Sequence, residues 1–447
     1  MTIDSSWIAC LKEEIPAAFT QQPPFRPDAV FIDGQIRLMP AGIDGVVSWE
    51  DYIQRQFERH IAKYFSRGVS CVILAFDDYA HVPSAKNMTQ AKRRKNVPGL
   101  DFHARDALPP CVPRGEEFTR CISNRAFKSK LIQLVVHRLT TNLKCDEGQC
   151  LVIDYCGSPV RHYARSTGRS PEPIHEFGAL GEADVKFVRY CDIFDRLQVD
   201  SVDGDSIPIG LLHLERGHSG QISVLRMQTR VTGKSEAAAQ PAQKKAKTRT
   251  ALIVSSRGAE DEEKKKPCRV YEYVDLRLVY DAVVCMVIPQ CVGRGRVPSH
   301  AGHEISMLVC LIGLSGTDYT RGIPLVSGKS LYDFLPHLWM RLCRSYDTGT
   351  RQLVPGEALD LLVSRIYHLK FQNHAPDADL QTVLAALGDS RLSAKTKERF
   401  PSCETALCTL RNTNWLLHYW HALSPDDPVQ PQFGFVRGPT GCVKFAA

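Results

Sequence analysis

The sequence lacks the features of membrane proteins and of disulfide-rich secreted proteins. No apolar run approaches the roughly 20 residues that a membrane-spanning helix needs, and the longest lies around Val283 to Pro289. The 16 cysteines are scattered singly or in loose pairs, and the first residues lack the basic-then-apolar order of a secretory signal. We therefore expect an intracellular protein with reduced thiols and no membrane role.

The sequence also lacks internal repeats and a strong charge of either sign. Lys and Arg total 56 against 49 Asp and Glu, a net charge of +7 that permits a polyanionic partner without requiring one. The 447 residues, 43% of them hydrophobic, can bury a large core in one big α/β domain or in two domains.

Apolar runs that end on acids predict the strands of a mainly parallel sheet. Residues Ala29 to Asp33, Ser70 to Phe76 and Gln149 to Asp154 are three such runs, and the first two are separated by a stretch with helical spacing at Tyr52–Phe65. Strand, helix and strand in this order indicate an α/β fold with crossover helices flanking the sheet. A fourth strand is predicted within Val199–Leu214, although Pro208 limits its pairing.

Composition divides the remainder of the chain. Residues 231–268 are rich in Lys, Ala, Gln, Ser and Glu, which predicts a flexible charged insertion. Its segment QKKAKTR is either part of a solvated loop or a nuclear-import or nucleic-acid patch. Residues 305–314 are apolar enough to be buried, and residues 346–447 hold helical patterns that predict a C-terminal helical region.

Acids fall where an α/β sheet usually binds its ligands. Asp33 and Asp77 follow apolar strands, and two acid pairs and a lone acid come later: Glu182 and Asp184, Asp203 and Asp205, and Asp318. Any one of these acids could be a helix cap or a salt-bridge partner. If all seven converge, their repulsion requires cations, and carboxylates suit two Mg²⁺ ions, with Mn²⁺ as a substitute. Two such ions about 4 Å apart hydrolyse phosphodiesters.

The surroundings of these acids resemble the flap endonucleases and their relatives in nucleotide excision repair. The matching segments are VFIDG, AFDD, GEADVKFVRY, VDSVDGDSIPIG and LIGLSGTDYTRGIP, which carry all seven acids in the family's order. The resemblance implies a PIN-like nuclease domain with a helical arch region, and a structure-specific 5′ nuclease of replication, repair or recombination. It implies a nuclease part at 1–230 with a basic arch or cap at about 79–148, and a second nuclease part at 269–345.

The resemblance also implies residues that contact the substrate. In KNMTQAKRRK, Lys86 and Arg93 have the seven-residue spacing of the family's lysine and arginine that face the scissile phosphate. The alternative is a basic, solvated helix. The neighbouring cations Lys92, Arg94 and Lys95, together with Lys329, would contact the nucleic-acid backbone, and Phe102, Phe118 and Phe127 would be available for base stacking. The implied partner is DNA with branches or single-strand/double-strand junctions, with RNA as an alternative.

Some positions depart from the family pattern. Leu325 and Ser327 stand where a helix-turn-helix would have glycines, so we expect a weaker or differently built grip on duplex DNA, and no sliding-clamp motif is evident. The alternatives to a DNA nuclease are a 5′-3′ exoribonuclease relative and a nucleic-acid-binding scaffold on the same fold. A zinc site at Cys145, Cys150 and Cys156, or at His300 and His303, lacks the usual paired spacing. We expect a nuclear location or a site of viral replication.

Overall fold

The computed structural model describes most of the chain. The described residues are 6–38, 45–78, 101–156, 159–174, 181–201, 204–230, 268–288, 302–316, 322–323, 325–354, 356–371, 378–389 and short stretches at 409, 413–414, 416–420, 435–437 and 443–445. All statements below concern these residues.

A nine-stranded sheet forms the centre of the protein. Its strands are β1 (Phe19–Thr20), β2 (Ala29–Asp33), β3 (Cys71–Ala75), β4 (Cys150–Asp154), β5 (Val160–Tyr163), β6 (Glu172–Pro173), β7 (Arg196–Asp200), β8 (Gln221–Arg230) and β9 (Cys268–Asp275). Their order is β1-β9-β8-β7-β2-β3-β4-β5-β6. The five strands from β8 to β4 are mutually parallel, and antiparallel strands complete both sides. The predicted α/β fold with a mainly parallel central sheet is confirmed.

Helices cover the sheet and form most of the described C-terminal region. They are α1 (Ser6–Glu14), α2 (Gly34–Arg37), α3 (Trp49–Ile53), α4 (Arg59–Phe65), α5 (Gly115–Ser123), α6 (Arg125–Thr141), α7 (Val188–Cys191), α8 (Ser206–Glu215), α9 (Leu276–Ala282), α10 (Glu304–Gly313), α11 (Gly328–Asp333), α12 (Leu335–Ser345), α13 (Glu357–Phe371) and α14 (Leu380–Asp389). Shorter turns are the 3-10 helices Pro16–Ala18, Arg165–Thr167 and Ala183–Val185 and the π-helical segments Gln54–Glu58 and Val283–Val287. Two small hairpins pair β10 (Tyr346–Asp347) with β11 (Gln352–Leu353), and β12 (Phe435–Arg437) with β13 (Val443–Phe445).

The two faces of the sheet pack against different hydrophobic clusters. Phe31 and Ile73 belong to one cluster, whereas their chain neighbours Val30 and Val72 belong to the other. Successive side chains of a strand point to opposite faces, so a strand covered on both sides has to be apolar throughout. This double burial explains why the central strands appear in the sequence as continuous apolar runs.

The predicted crossover helix between β2 and β3 is present in three consecutive pieces. Ser48 begins it, because its hydroxyl accepts a hydrogen bond from the backbone N–H of Asp51. The helix continues through α3, the π-helical segment Gln54–Glu58 and α4. The apolar residues that predicted it, among them Tyr52, Phe57 and Ile61, are buried against the sheet. The predicted strand, helix and strand order is therefore confirmed here.

The prediction of one strand within Val199–Leu214 was wrong. The chain forms β7 up to Asp200 and then helix α8, in which every residue from Ser206 to Leu214 is buried. A helix buried on all sides has no periodic pattern that separates it from a strand. Pro208 fits because it lies in the first turn, where a backbone N–H has no partner within the helix.

The charged insertion lies between the two strands of a hairpin. Arg230 at the end of β8 pairs with Cys268 at the start of β9, so the insertion connects two ends that lie side by side. Residues 231–267 themselves are outside the described part of the chain. Along the described residues, no helix combines the length and the apolar character required to cross a membrane.

Candidate functional site

Two neighbouring parallel strands bring Asp33 and Asp77 to the same edge of the sheet. Asp33 is the last residue of β2 and pairs in register with Ala75, two residues before Asp77. The strands approach closely here, since a Cβ atom on Gly34 would lie 2.7 Å from the Ala75 carbonyl oxygen. Both acids are buried, and Asp33 also begins α2 by accepting a hydrogen bond from Gln35 N–H at 2.8 Å. The expectation that both strand ends reach one edge is met.

The acid pair Glu182 and Asp184 lies directly against Asp77. The residue between the two acids, Ala183, donates its backbone N–H to Asp77 Oδ1 at 3.0 Å. Next to it, Asp78 N–H donates to the Gly181 carbonyl at 2.6 Å. Glu182 and Asp184 are 0% and 6% exposed. Two backbone contacts thus hold the segment carrying this pair at the end of β3.

Asp205 reaches the same edge from the next strand. It follows β7, which is the parallel neighbour of β2, and it occupies the residue before α8. Helix α8 in turn contacts the 3-10 helix Ala183–Val185 that contains Asp184. Asp205 is 2% exposed. The described acids of the predicted set therefore share one region of the fold, at the carboxyl edge of the sheet, where α/β proteins usually bind ligands.

Two predicted ligands, Asp203 and Asp318, lie outside the described residues. The described carboxylates share the sheet edge, but no three of their oxygens lie within 4.8 Å of one another. A different group of residues, described below, does have three potential ligand atoms this close together. The donors at this edge are carboxylate oxygens. Such hard oxygen donors fit Mg²⁺ or Mn²⁺ rather than a soft metal.

A buried cluster of charged side chains holds the backbone near this edge of the sheet. Lys186, 1% exposed, donates from Nζ to the Phe76 carbonyl at 2.7 Å and pairs with Asp154 Oδ1 at 3.0 Å. Tyr190 OH donates to Asp154 Oδ2 at 2.8 Å, and Arg189 lies 3.7 Å from the same oxygen. Burial acts to raise the pKa of Asp154, but Lys186 and Arg189 outweigh it and hold this pKa below its usual value. Because Phe76 precedes Asp77, Lys186 fixes the backbone that carries this acid.

A second buried acid, Asp200, stands at the end of β7 beside Ile32 of β2. Its Oδ2 accepts hydrogen bonds from Arg37 at 2.8 Å, from His60 at 2.6 Å and from Tyr64 at 3.0 Å. Burial acts to raise the pKa of Asp200, yet the His60 hydrogen bond and the Arg37 charge lower it to about 2. These three donors fix the end of β7 to the helices that cover β2.

Sequence reasoning left out these supporting residues, although signals for them exist. Asp154 and Asp200 are the last residues of their strands just as Asp33 is, and Asp78 directly follows Asp77. Lys186 and Arg189 are the cations of an otherwise acidic and apolar segment around Asp184. No pattern in the sequence indicates that Lys186 pairs with Asp154, because the two are separated by 32 residues that include β5 and β6.

The predicted stacking role of the phenylalanines is wrong for two of them. Phe118 and Phe127 are 0% and 1% exposed in the core formed by α5, α6 and the sheet, and Phe102 packs partly buried against Phe127. The apolar faces of α5 and α6 cover the sheet, which leaves these rings no access to a base. The cations predicted to contact the substrate in this region, Lys86, Lys92, Arg93, Arg94 and Lys95, lie outside the described residues.

Lys329 lies in the first turn of α11, against the first residue of α1. Its backbone N–H donates to Ser6 Oγ at 2.7 Å, and its ammonium lies 3.2 Å from Asp333. Leu325, one of the residues that replaces an expected glycine, has a φ of 65° and is 38% exposed. A leucine in this left-handed conformation is strained. The turn thus keeps a glycine-like backbone without a glycine.

Neither set of residues considered for zinc forms a group of three potential ligands within the described part of the chain. Cys145 Sγ donates to the Gln149 carbonyl at 3.7 Å, which is an ordinary role for a half-buried thiol. His300 is outside the described residues, and His303 packs its ring against Tyr346.

Comparison with known proteins gives distant structural likenesses alone. No protein-family model matches the sequence, and no curated protein matches it. Among solved structures, the chain is similar to the catalytic core of Rad2 in complex with DNA substrate, with 14% sequence identity and a TM-score of 0.37. The similarity covers 90% of this chain and 85% of that one.

Proposed function

We propose that this chain is a divalent-metal-dependent nuclease that hydrolyses phosphodiester bonds in branched or junction-containing DNA. The observation that carries the proposal is the burial of Asp33, Asp77, Glu182, Asp184 and Asp205 at the carboxyl edge of a parallel sheet. Carboxylates that share one edge of the sheet and are removed from water favour a bound cation, which offsets their mutual repulsion.

The chemistry of the donors supports magnesium, with manganese as a substitute. We assign the ligands of two ions to the full set of predicted acids: Asp33, Asp77, Glu182, Asp184, Asp203, Asp205 and Asp318. When bound, the ions activate a water molecule and stabilise the leaving oxygen of the phosphodiester.

The protein contributes by fixing the positions of these acids. Ala183 N–H binds Asp77 Oδ1, which sets the distance between β3 and the segment carrying Glu182 and Asp184. Lys186 holds the Phe76 carbonyl and so restrains the backbone before Asp77. Such rigid support keeps ligands within the narrow tolerance that a two-ion site requires.

We further propose that Lys86 and Arg93 orient the scissile phosphate, while Lys92, Arg94, Lys95 and Lys329 contact the nucleic-acid backbone. Contacts of this kind are electrostatic and independent of sequence, so binding should weaken steeply as salt is raised. We place the activity in DNA replication, repair or recombination in the nucleus or at a site of viral replication.

The test is cleavage of labelled 5′-flap DNA by the purified full chain with Mg²⁺ or Mn²⁺. We expect cutting that depends on the metal and is reduced about 100-fold or more by Asp184→Asn or Asp205→Asn, as for loss of a metal ligand. Glu215→Gln is the matched control, since Glu215 is a half-buried acid that caps α10 away from the candidate site. This control should cut at the unmodified rate.

Two outcomes would count against the proposal. Equal cutting by the control and by both aspartate variants would contradict the assigned ligands. If the unmodified chain binds flap, gapped and single-stranded DNA but cuts none of them, a nucleic-acid-binding scaffold becomes the better assignment. A parallel reaction with 5′-phosphorylated RNA identifies an exoribonuclease, which would cut this RNA in preference to DNA.

A further inference from the structure

A second group of potential metal ligands lies far from the acids, at the opposite edge of the sheet. Cys191 is the last residue of α7, His213 lies in the last turn of α8, and His218 follows in the loop before β8. One potential ligand atom from each of the three lies within 4.8 Å of the other two. The group is next to the amino ends of β7 and β8, whereas the acids of the candidate nuclease site are at the carboxyl ends.

Asp192 supplies a fourth potential ligand. Its Oδ1 lies 3.3 Å from His213 Nε2 and 3.7 Å from His218 Nδ1. The three other side chains are largely removed from water, while that of Asp192 is 47% exposed. The cluster thus has a closed apolar side and one side that opens to solvent.

The two imidazoles are poorly satisfied by the protein. Among the described residues, both ring nitrogens of His213 and Nε2 of His218 have no hydrogen-bond partner, although His213 is 4% exposed. The rings lie side by side with their centroids 4.7 Å apart. Buried polar atoms in folded proteins nearly always have a partner, so nitrogens left without one at a cluster of metal-ligating residues indicate a missing ligand.

We propose that Cys191, Asp192, His213 and His218 bind a zinc ion with a structural role. Thiolate, imidazole and carboxylate are the ligands that zinc takes in tetrahedral sites, and the four residues that lie between His213 and His218 match the spacing typical of such sites. With Zn–N near 2.0 Å and Zn–S near 2.3 Å, tetrahedral ligand atoms lie roughly 3.3–3.6 Å apart. The 3.3 Å between Asp192 Oδ1 and His213 Nε2 is already of this size, and Cys191, His213 and His218 each offer a ligand atom within 4.8 Å of the other two.

The ion would join three segments that are separate in the chain. It would tie the end of α7 and the end of α8 to the loop that leads into β8, where Gln221 N–H binds the Asp195 carbonyl at 2.6 Å. Helix α8 contacts the 3-10 helix that carries Asp184, and α7 follows that 3-10 helix in the chain. Zinc at this edge would therefore brace the scaffold of the candidate nuclease site without contacting substrate.

Metal content tests the proposal directly. The full chain, expressed with zinc and dialysed against metal-free buffer, should contain about one zinc per chain by elemental mass spectrometry. Replacement by Co²⁺ should give the tetrahedral visible bands and the near-ultraviolet band of a cobalt–thiolate bond. Cys191→Ser should abolish the thiolate band, and His213→Asn should remove the stoichiometric metal. A zinc chelator should lower the melting temperature of the unmodified chain but not that of either variant.

Matched controls show whether a loss of zinc is specific to this cluster or follows from replacing any buried cysteine or histidine. Cys310→Ser and His418→Asn change buried residues outside the cluster and should keep zinc and the cobalt spectrum. Asp184→Asn, in the candidate nuclease site, should keep them too. Because Asp192 is half-exposed, Asp192→Asn should fold and should weaken zinc binding by about tenfold or more.

Three results would overturn the proposal. The first is unmodified protein that holds no stoichiometric zinc and shows no cobalt–thiolate band on titration with Co²⁺. The second is metal content in the Cys191→Ser and Asp192→Asn variants equal to that of the two controls. The third is loss of zinc in Asp184→Asn with retention in Cys191→Ser, which would assign the ion to the carboxylate edge instead.

Discussion

The buried pair of Lys186 and Asp154 allows the sharpest test of how the candidate site is supported. Both side chains are 1% exposed, and their charged atoms are 3.0 Å apart. At an effective dielectric constant of about 20, the attraction at this distance is about 5.5 kcal/mol. Replacing Lys186 with Met removes this attraction and the hydrogen bond to the Phe76 carbonyl, while avoiding the desolvation of an ammonium.

We expect Lys186→Met to lower the free energy of unfolding by about 3 kcal/mol, at the lower end of the range for breaking a buried pair. The lower end applies because Tyr190 and Arg189 continue to contact Asp154. The measurement is guanidinium denaturation followed by tryptophan fluorescence. Lys63→Met, which changes an exposed lysine of α4, is the control and should stay within about 0.5 kcal/mol of the unmodified chain.

A double-mutant cycle separates the ion pair from packing. In an Asp154→Asn background, Lys186→Met should lower stability by only about 1–2 kcal/mol, the usual net contribution of its two remaining hydrogen bonds, to the Phe76 and residue 154 carbonyls. The folded-state pKa of Asp154 is depressed, so its contribution is present above the unfolded value of about 4 and is lost as the pH falls below it. The difference in the free energy of unfolding between the unmodified chain and Lys186→Met should therefore decrease at acidic pH. Equal losses in both backgrounds would refute the ion-pair reasoning.

Three further substitutions have defined outcomes. Gly34→Ala should lower stability by about 1–3 kcal/mol and reduce cleavage, because its Cβ would lie 2.5 Å from a ring carbon of buried Phe76 at the edge that carries the acids. Burial raises the pKa of Glu215 to about 7, so its ionisation lowers the stability of the fold as the pH rises from about 4.5 to 7. Glu215→Gln should remove this pH-dependent loss of stability. Asp200→Asn should cost about 2.5 kcal/mol at neutral pH, a contribution present above pH about 4 and lost as the pH falls towards 2, because His60 and its other donors lower the pKa of Asp200.

Each of these substitutions has its own control. Gly148→Ala adds a Cβ that meets nothing within 4 Å and should leave stability and cleavage unchanged. An unchanged pH slope in Glu215→Gln would show that this carboxyl ionises equally in the folded and unfolded chain. Asp28→Asn is the control for Asp200→Asn, because it breaks a partly exposed pair with Arg196 and should lower stability by less than about 1 kcal/mol. An equal loss of stability in the two variants would contradict the stabilising role proposed for the buried donors of Asp200.

The sequence alone determined the parts of the fold that depend on local patterns. The runs ending at Asp33, Asp77 and Asp154 predicted parallel strands, because a strand buried on both faces must be apolar throughout and its end must return to polar residues. Helical spacing likewise predicted the crossover helix at Tyr52–Phe65. The meeting of Asp33 and Asp77 at one edge followed from the parallel topology.

Tertiary structure decided which of these similar strand ends belongs to the candidate site. Asp33 and Asp154 end their strands in the same way, yet Asp154 is neutralised by Lys186 and Arg189, and only the packing of the segment after Asp184 brings those cations to it. The sequence left Phe118 and Phe127 available for base stacking, whereas the fold buries both rings in the core. Burial and charge pairing depend on which elements pack together, and residues distant in the chain carry no local sign of that choice.

The Cys191, His213 and His218 cluster illustrates the same limit. Helix α8 comes from an apolar run that was expected to be a strand, and only as a helix does it end beside α7 with His213 next to Cys191. The sequence therefore determined that the chain forms a parallel sheet with acids along one edge. The packing of its helices determined which acids are neutralised by neighbouring cations and which side chains gather at the opposite edge, since those contacts join residues far apart in the chain.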